Sequence, residues 1–124
     1  MKFFNPTAVN RIRSVQAWQI LVGAAMNRQT VTYKGLSQIM YGRDAAGVLD
    51  RILGHIAFYC IDNKLPALTS IVVNKSKGIP GDQIPMDLTK RDKVREKVYA
   101  NDWYNIYPPT AEEFHASYVL HTKK

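Results

Sequence analysis

Residues 31–54 read VTYKGLSQIMYGRDAAGVLDRILG, and this stretch decides the fold. Thr32 is a helix-capping residue type, and Leu36, Ile39 and Met40 after it turn one face of a short helix, Tyr33 to Met40, inward. Tyr41-Gly42-Arg43-Asp44 breaks that helix. Glycine suits the left-handed position that ends a helix, and Asp44 is placed to cap the next one. The spacing then predicts a helix from about Ala45 to Ile61, with Leu49, Ile52, Leu53, Ile56 and Cys60 on its buried face.

Upstream, Asn5-Pro6-Thr7 reads as a helix start, followed by a long helix to about Asn27. Val9, Ile12, Val15, Trp18, Leu21, Val22 and Ala25 form its apolar stripe, with Arg11, Arg13 and Arg28 off it. Downstream, Asn63-Lys64-Leu65-Pro66 stops the third helix, and the β-branched run Leu68 to Asn74 reads as a strand. Lys75-Ser76-Lys77-Gly78 is a turn carrying two lysines, and Ile79-Pro80-Gly81 begins an irregular return. A helix from about Leu88 to Asp102 follows, its Lys90–Lys97 run a solvated face of mixed charge. Trp103, Tyr104, Ile106 and Tyr107 make an apolar patch that folds back on the body. Pro108-Pro109-Thr110 then starts a short helix with Glu112 and Glu113 in its first turn, where the helix dipole favours acids.

Two helices joined by a short turn and followed by a strand and a basic turn predict a mainly α (α+β) fold. It is a winged helix-turn-helix with a short β-hairpin wing and extra C-terminal helices. One domain is expected over 1–124, with a winged-helix core at about 7–86 and a helical extension at about 87–120.

Composition narrows the function. The chain has 124 residues, 17 Lys and Arg against 10 Asp and Glu, and a net charge of +7. That excess favours a polyanionic partner, with double-stranded DNA first. A single cysteine excludes an internal disulfide framework and a cysteine-built zinc site, and fits a cytoplasmic protein. The start, Met-Lys-Phe-Phe-Asn-Pro, is too soon broken for a secretory segment, and no apolar run reaches the roughly 18 residues of a membrane span.

Three stretches together resemble the C-terminal domain of O6-alkylguanine-DNA alkyltransferases and the alkyltransferase-like proteins. Val31-Thr32-Tyr33-Lys34-Gly35-Leu36-Ser37-Gln38-Ile39 is similar to the segment that opens that family's first helix-turn-helix helix. Arg51-Ile52-Leu53-Gly54 is similar to the Arg-x-Val-Gly of its recognition helix. Asn63-Lys64-Leu65-Pro66, then Ile71-Val72-Val73 and Gly78, resembles its Asn-Pro-Leu-Pro, strand and turn glycine. The likeness covers roughly residues 15–81. It implies the scaffold and a DNA-binding use of it, with Arg51 matching the arginine that enters the base stack and Tyr33 the tyrosine that turns a phosphate. The family's catalytic Pro-Cys-His-Arg-Val is replaced by Leu68-Thr69-Ser70-Ile71-Val72. Without a thiolate or an activating base there, alkyl transfer has no chemistry to run on.

The candidate DNA-binding residues are Tyr33, Lys34, Arg43, Gly47, Arg51, Lys75 and Lys77. Arg43 and Arg51 flank the start of the third helix, where a recognition helix meets bases. Gly47 allows close approach, Tyr33 and Lys34 open the preceding helix, and Lys75 and Lys77 flank the wing turn. Each has a plainer alternative: a capped and packed helix end, exposed turn lysines, or a partly buried tyrosine. His55, His115 and His121 lack metal-ligand spacing, no serine elbow or phosphate loop is present, and the carboxylates are dispersed. No catalytic residue, metal or cofactor is expected, and the chain reads as a non-enzyme of regulatory, repair-signalling or phage-related use. The alternative is a protein-interaction module, with Trp103, Tyr104, Tyr107 and Phe114 as an exposed surface for a homodimer or protein partner.

Overall fold

A computed structural model describes residues 1–74 and 88–123. Among them are five α-helices and one two-stranded sheet: α1 (Asn10–Met26), β1 (Val31–Thr32), α2 (Tyr33–Tyr41), α3 (Leu49–Asp62), β2 (Val72–Val73), α4 (Leu88–Ala100) and α5 (Ala111–Thr122). The fold is mainly helical. No helix among the described residues is long and apolar enough to cross a membrane.

Local chemistry places α2 where the sequence suggested. Thr32 Oγ1 accepts from Gly35 N at 2.9 Å, and Gly42 ends the helix with φ 73°. That backbone conformation is the one glycine adopts without strain. α5 starts with a reciprocal capping box between Thr110 and Glu113, at 3.1 Å in each direction. At the head of α1 the expectation moves: Asn5 Oδ1 accepts from Thr7 in a turn, and the helix begins at Asn10.

The third helix opens differently too. Ala46–Val48 is a single 3-10 turn, α3 proper starts at Leu49, and its N-cap is Val48 with no side-chain cap, so Asp44 does not hold that position. The connection is braced from below by Ser37, whose buried hydroxyl donates to Lys34 O and accepts from Ala45 N.

The predicted strand over Leu68–Asn74 is mostly not a strand. Leu68–Ile71 is a 3-10 turn, and only Val72 and Val73 are extended. Leu68 and Ile71 are both fully buried. Residues three apart share a side in a 3-10 turn and face opposite ways in a strand, so burying both selects the turn. β2 pairs with β1 in parallel, Val31 against Val72 and Thr32 against Val73. This pair is therefore not an antiparallel wing. The expected wing turn, Lys75–Gly78, and the return segment after it lie outside the described residues.

The core is an aromatic cluster built on α1. Trp18 meets Tyr59, Trp103 and Phe114 at ring distances of 5.7, 5.6 and 5.8 Å. Trp103 Nε1 donates to Val98 O at 2.7 Å, which satisfies its one polar atom inside. The patch folds back on the body through Trp103 and Ile106, as expected, whereas the alternative of an exposed partner surface fails for Trp103 and Phe114, which are interior; of that set Tyr104 and Tyr107 alone are exposed. Arg13, expected off the apolar stripe, is also buried. Its guanidinium donates to Pro6 O, Met40 O and Gln16 Oε1 and stands 4.3 Å from the centre of the Tyr41 ring.

Candidate nucleic-acid interface

The start of α3 is open to solvent. Arg43, Asp44, Gly47, Val48, Asp50 and Arg51 are all exposed, as are Lys34, Gln38 and Ile39 on α2. α1 and α5 pack against α3 on its other sides, through Leu49, Ile52, Leu53 and Ile56. Neither Arg43 nor Arg51 forms an ion pair with a carboxylate among the described residues. A Cβ added at Gly47 would meet nothing within 4 Å, so packing does not demand a glycine there. Tyr33 is half-buried against the core. Lys75 and Lys77 lie outside the described residues.

The two arginines open onto different hollows. Arg43 stands 6.0 Å from the Tyr41 ring and lines a groove with Phe3, Phe4 and Arg13. Arg51 lines a cleft of about 230 Å³ where the start of α1 meets α3 and α5, with Asn10, Arg11, His55, His115 and Tyr118. Lys34 lines neither.

The Arg51 cleft holds residues that sequence reasoning did not join. Arg11 Nη2 donates to His115 Nε2 at 3.2 Å, and its Nη1 meets Glu112 Oε2 at 3.3 Å. His55 is buried; its Nδ1 donates to Arg51 O at 2.6 Å and its ring stacks on Tyr118 at 4.0 Å. That bond fixes the proton on Nδ1 and leaves Nε2 an acceptor, with no partner among the described residues. Burial first of all holds the imidazole below its ordinary value of 6.5; the bond to Arg51 O partly counters it, and the nearby His115 and Arg11 add to the lowering.

Gly54, next to His55, has a packing reason. A Cβ there would lie 3.3 Å from Tyr118 Cε1, so glycine lets α5 approach α3. Further along the same seam, His121 Nε2 donates to Asp62 Oδ1 at 2.6 Å. Hydrogen bonds from His121 and Ser117 hold the Asp62 carboxyl below its usual range. All three histidines therefore sit on the α3–α5 seam. Arg11, His55 and His115 come from three separate helices, and no local spacing could have joined them. Among the described residues, no group of three or more His, Cys, Asp or Glu could hold a metal ion.

Comparison with known proteins finds no matching family, no matching characterised sequence and no matching solved structure.

Proposed function

We propose that this protein binds double-stranded DNA without catalysis, as a winged helix-turn-helix protein that presents the N-terminal end of α3 to the major groove. The observation that carries the reading is the open start of α3, where Arg43 and Arg51 are exposed and have no carboxylate ion pair among the described residues. Unpaired guanidiniums at a recognition-helix start suit guanine edges and phosphates. The order helix, strand, helix, helix, strand is that of a winged helix up to its hairpin. The net charge of +7 supplies the long-range attraction, and Lys75 and Lys77 would add backbone contacts from the wing. Asp44 and Asp50, neither of which lines the Arg51 cleft, repel phosphate at the open start of α3, which favours contact at base edges over the backbone there.

The test is fluorescence anisotropy of a labelled duplex of about 20 base pairs across a salt series, where affinity should fall linearly in log–log with salt. Arg51→Ala should cost about 1–3 kcal/mol if it reads a base. An unchanged affinity, with the fold intact by circular dichroism, removes Arg51 from the interface. Absence of binding at low salt overturns the reading as a whole.

A further inference from the structure

The cleft between α1, α3 and α5 has the parts of an anion seat, and of these only Arg51 is shared with the major-groove face. α1 begins with Val9 at its N-cap, with no side-chain cap and no acid in its first turn. Valine cannot accept the free N–H groups, so the positive end of this 17-residue helix has no cap or acid of its own. The main-chain N–H groups of Asn10 and Arg11 have no hydrogen-bond partner among the described residues. Val9, Asn10 and Arg11 line the cleft. The Arg11 guanidinium is already oriented there by His115, and Arg51 stands on the α3 wall.

His55 is the part that selects among anions. His55 is buried, with only 4% of the residue exposed, and its ring is held by the Arg51 carbonyl and the Tyr118 stack. The Nε2 lone pair would repel a fully ionised oxyanion. It suits one that carries a proton, such as a phosphate near its second ionisation at about pH 6. The cleft, at about 230 Å³, falls below the roughly 300–1,000 Å³ of pockets for drug-sized ligands, so it fits an ion-sized group.

We propose that this cleft is a seat for a phosphomonoester or inorganic phosphate, held by Arg11, Arg51 and the free N–H groups of α1, with His55 Nε2 accepting from the P–OH. The phosphomonoester comes from the 5′ end of a nucleic-acid strand or from a free nucleotide. The proposal touches the DNA-binding reading only through Arg51, so the test leaves Arg51 alone. Glu112 competes with the anion for Arg11, and this gives two substitutions of opposite sign. Arg11→Gln should weaken phosphate at least about 10-fold by removing a charge-assisted contact. Glu112→Gln should tighten it about 2–5-fold by freeing the guanidinium. A residue that only supported the fold would not give opposite signs. Glu112 is 77% exposed and Arg11 35%, and circular dichroism checks that both variants remain folded.

The measurement follows the ring signals of His55 and His115 by NMR at about pH 6 during titration with inorganic phosphate, and separately with sulfate. Phosphate should move both rings and bind more tightly than sulfate, which carries no proton to give Nε2. Ring signals that ignore phosphate overturn the seat, and sulfate binding as tightly as phosphate overturns it equally. Two further arms separate the sources: a nucleoside 5′-monophosphate, and blunt duplexes with and without 5′-phosphates. A phosphorylated end that binds more tightly, with the gain lost in Arg11→Gln, identifies the strand end. Seating of the monophosphate with no effect of the duplex end identifies the free nucleotide. Duplex binding with no phosphate response defeats the seat alone, and a phosphate response with no duplex binding defeats the DNA reading alone.

Discussion

The guanidinium of Arg13 on α1 donates at 3.2 Å to the main-chain carbonyl of Met40 near the end of α2, joining the two helices through a buried cation. The same group reaches Pro6 O at 2.9 Å, so one side chain ties the N-terminal arm, α1 and α2 together. No carboxylate balances it among the described residues; carbonyl oxygens, Gln16 and the Tyr41 ring do. Arg13→Ala should lower the unfolding free energy by about 2–4 kcal/mol, from lost packing and unpaired carbonyls. Arg13→Lys should recover less than half, because an ammonium has neither the fork nor the flat face that Tyr41 meets. Urea unfolding decides it, and a wild-type midpoint in Arg13→Ala would show the contacts to be idle.

Thr32 and Gly35 are coupled through the cap of α2. A Cβ on residue 35 would sit 2.8 Å from Thr32 Oγ1, so the hydroxyl that caps the helix would have to leave. Gly35→Ala gains about 0.5–1 kcal/mol of helix propensity but loses a cap of about 1 kcal/mol and adds strain. The net should be a small loss. In a Thr32→Ala background the same substitution should stabilise, since the obstructing oxygen is gone. A double-mutant cycle without this reversal of sign would refute the coupling.

His55 makes the fold sensitive to mild acid. Its folded pKa lies below the ordinary 6.5 because burial opposes the charge, and Arg11 and His115 facing it oppose it further. Arg51 O and the Tyr118 ring complete its surroundings. The unfolded chain therefore takes up this proton first. The stabilisation is complete above about pH 6.5 and is lost as pH falls through the folded value. Urea midpoints should decline from that pH downward, and His55→Gln should flatten the decline. Asp62 acts in a separate window, below its ordinary 3.8.

Cys60 should be chemically silent in the folded protein. Burial pushes its thiol up to about 11, only partly countered by a backbone hydrogen bond at Leu68. At pH 8 a disulfide reagent should modify it at least about 100-fold more slowly than an exposed thiol, and at full speed in denaturant. Rapid labelling under native conditions would place the residue outside the core. Stability should also fall as pH rises from 9.0 towards about 11, where an unfolded thiol ionises and the buried one resists.

Features governed by neighbours in the chain were legible in the sequence. Thr32, Gly42 and Thr110 act within a few residues of themselves, and each does what its type and position suggested; the side chain of Glu113 adds a reciprocal bond to Thr110 that the dipole argument did not name. Cys60 follows from helical periodicity. Arg13 could not be read, because its burial depends on carbonyls at Pro6 and Met40 that only the folded chain supplies. Trp103 and Phe114 looked adhesive for a similar reason, since the Trp18 ring that covers them lies far away in sequence. Leu68–Ile71 misled through composition: β-branched residues favour strands, but burial of both ends of a three-residue step overrode that preference. The Arg51 cleft was half legible, with Arg51 itself singled out and Arg11, His55 and His115 joined to it by tertiary packing alone.

The short parallel ladder, Val31 on Val72 and Thr32 on Val73, fastens together the two ends of the α2–α3 segment. Closing that ring spans about 40 residues of chain and yields only two paired positions, so loop entropy must be met before the ladder returns anything. It should therefore close late in folding, after α2 and α3 have docked, with substitutions at Val72 speeding unfolding more than they slow folding. The clasp works as a latch on the finished structure: slow amide exchange at Val73 would report that the α2–α3 unit is seated, and its loss would be an early sign that the unit has come away from α1.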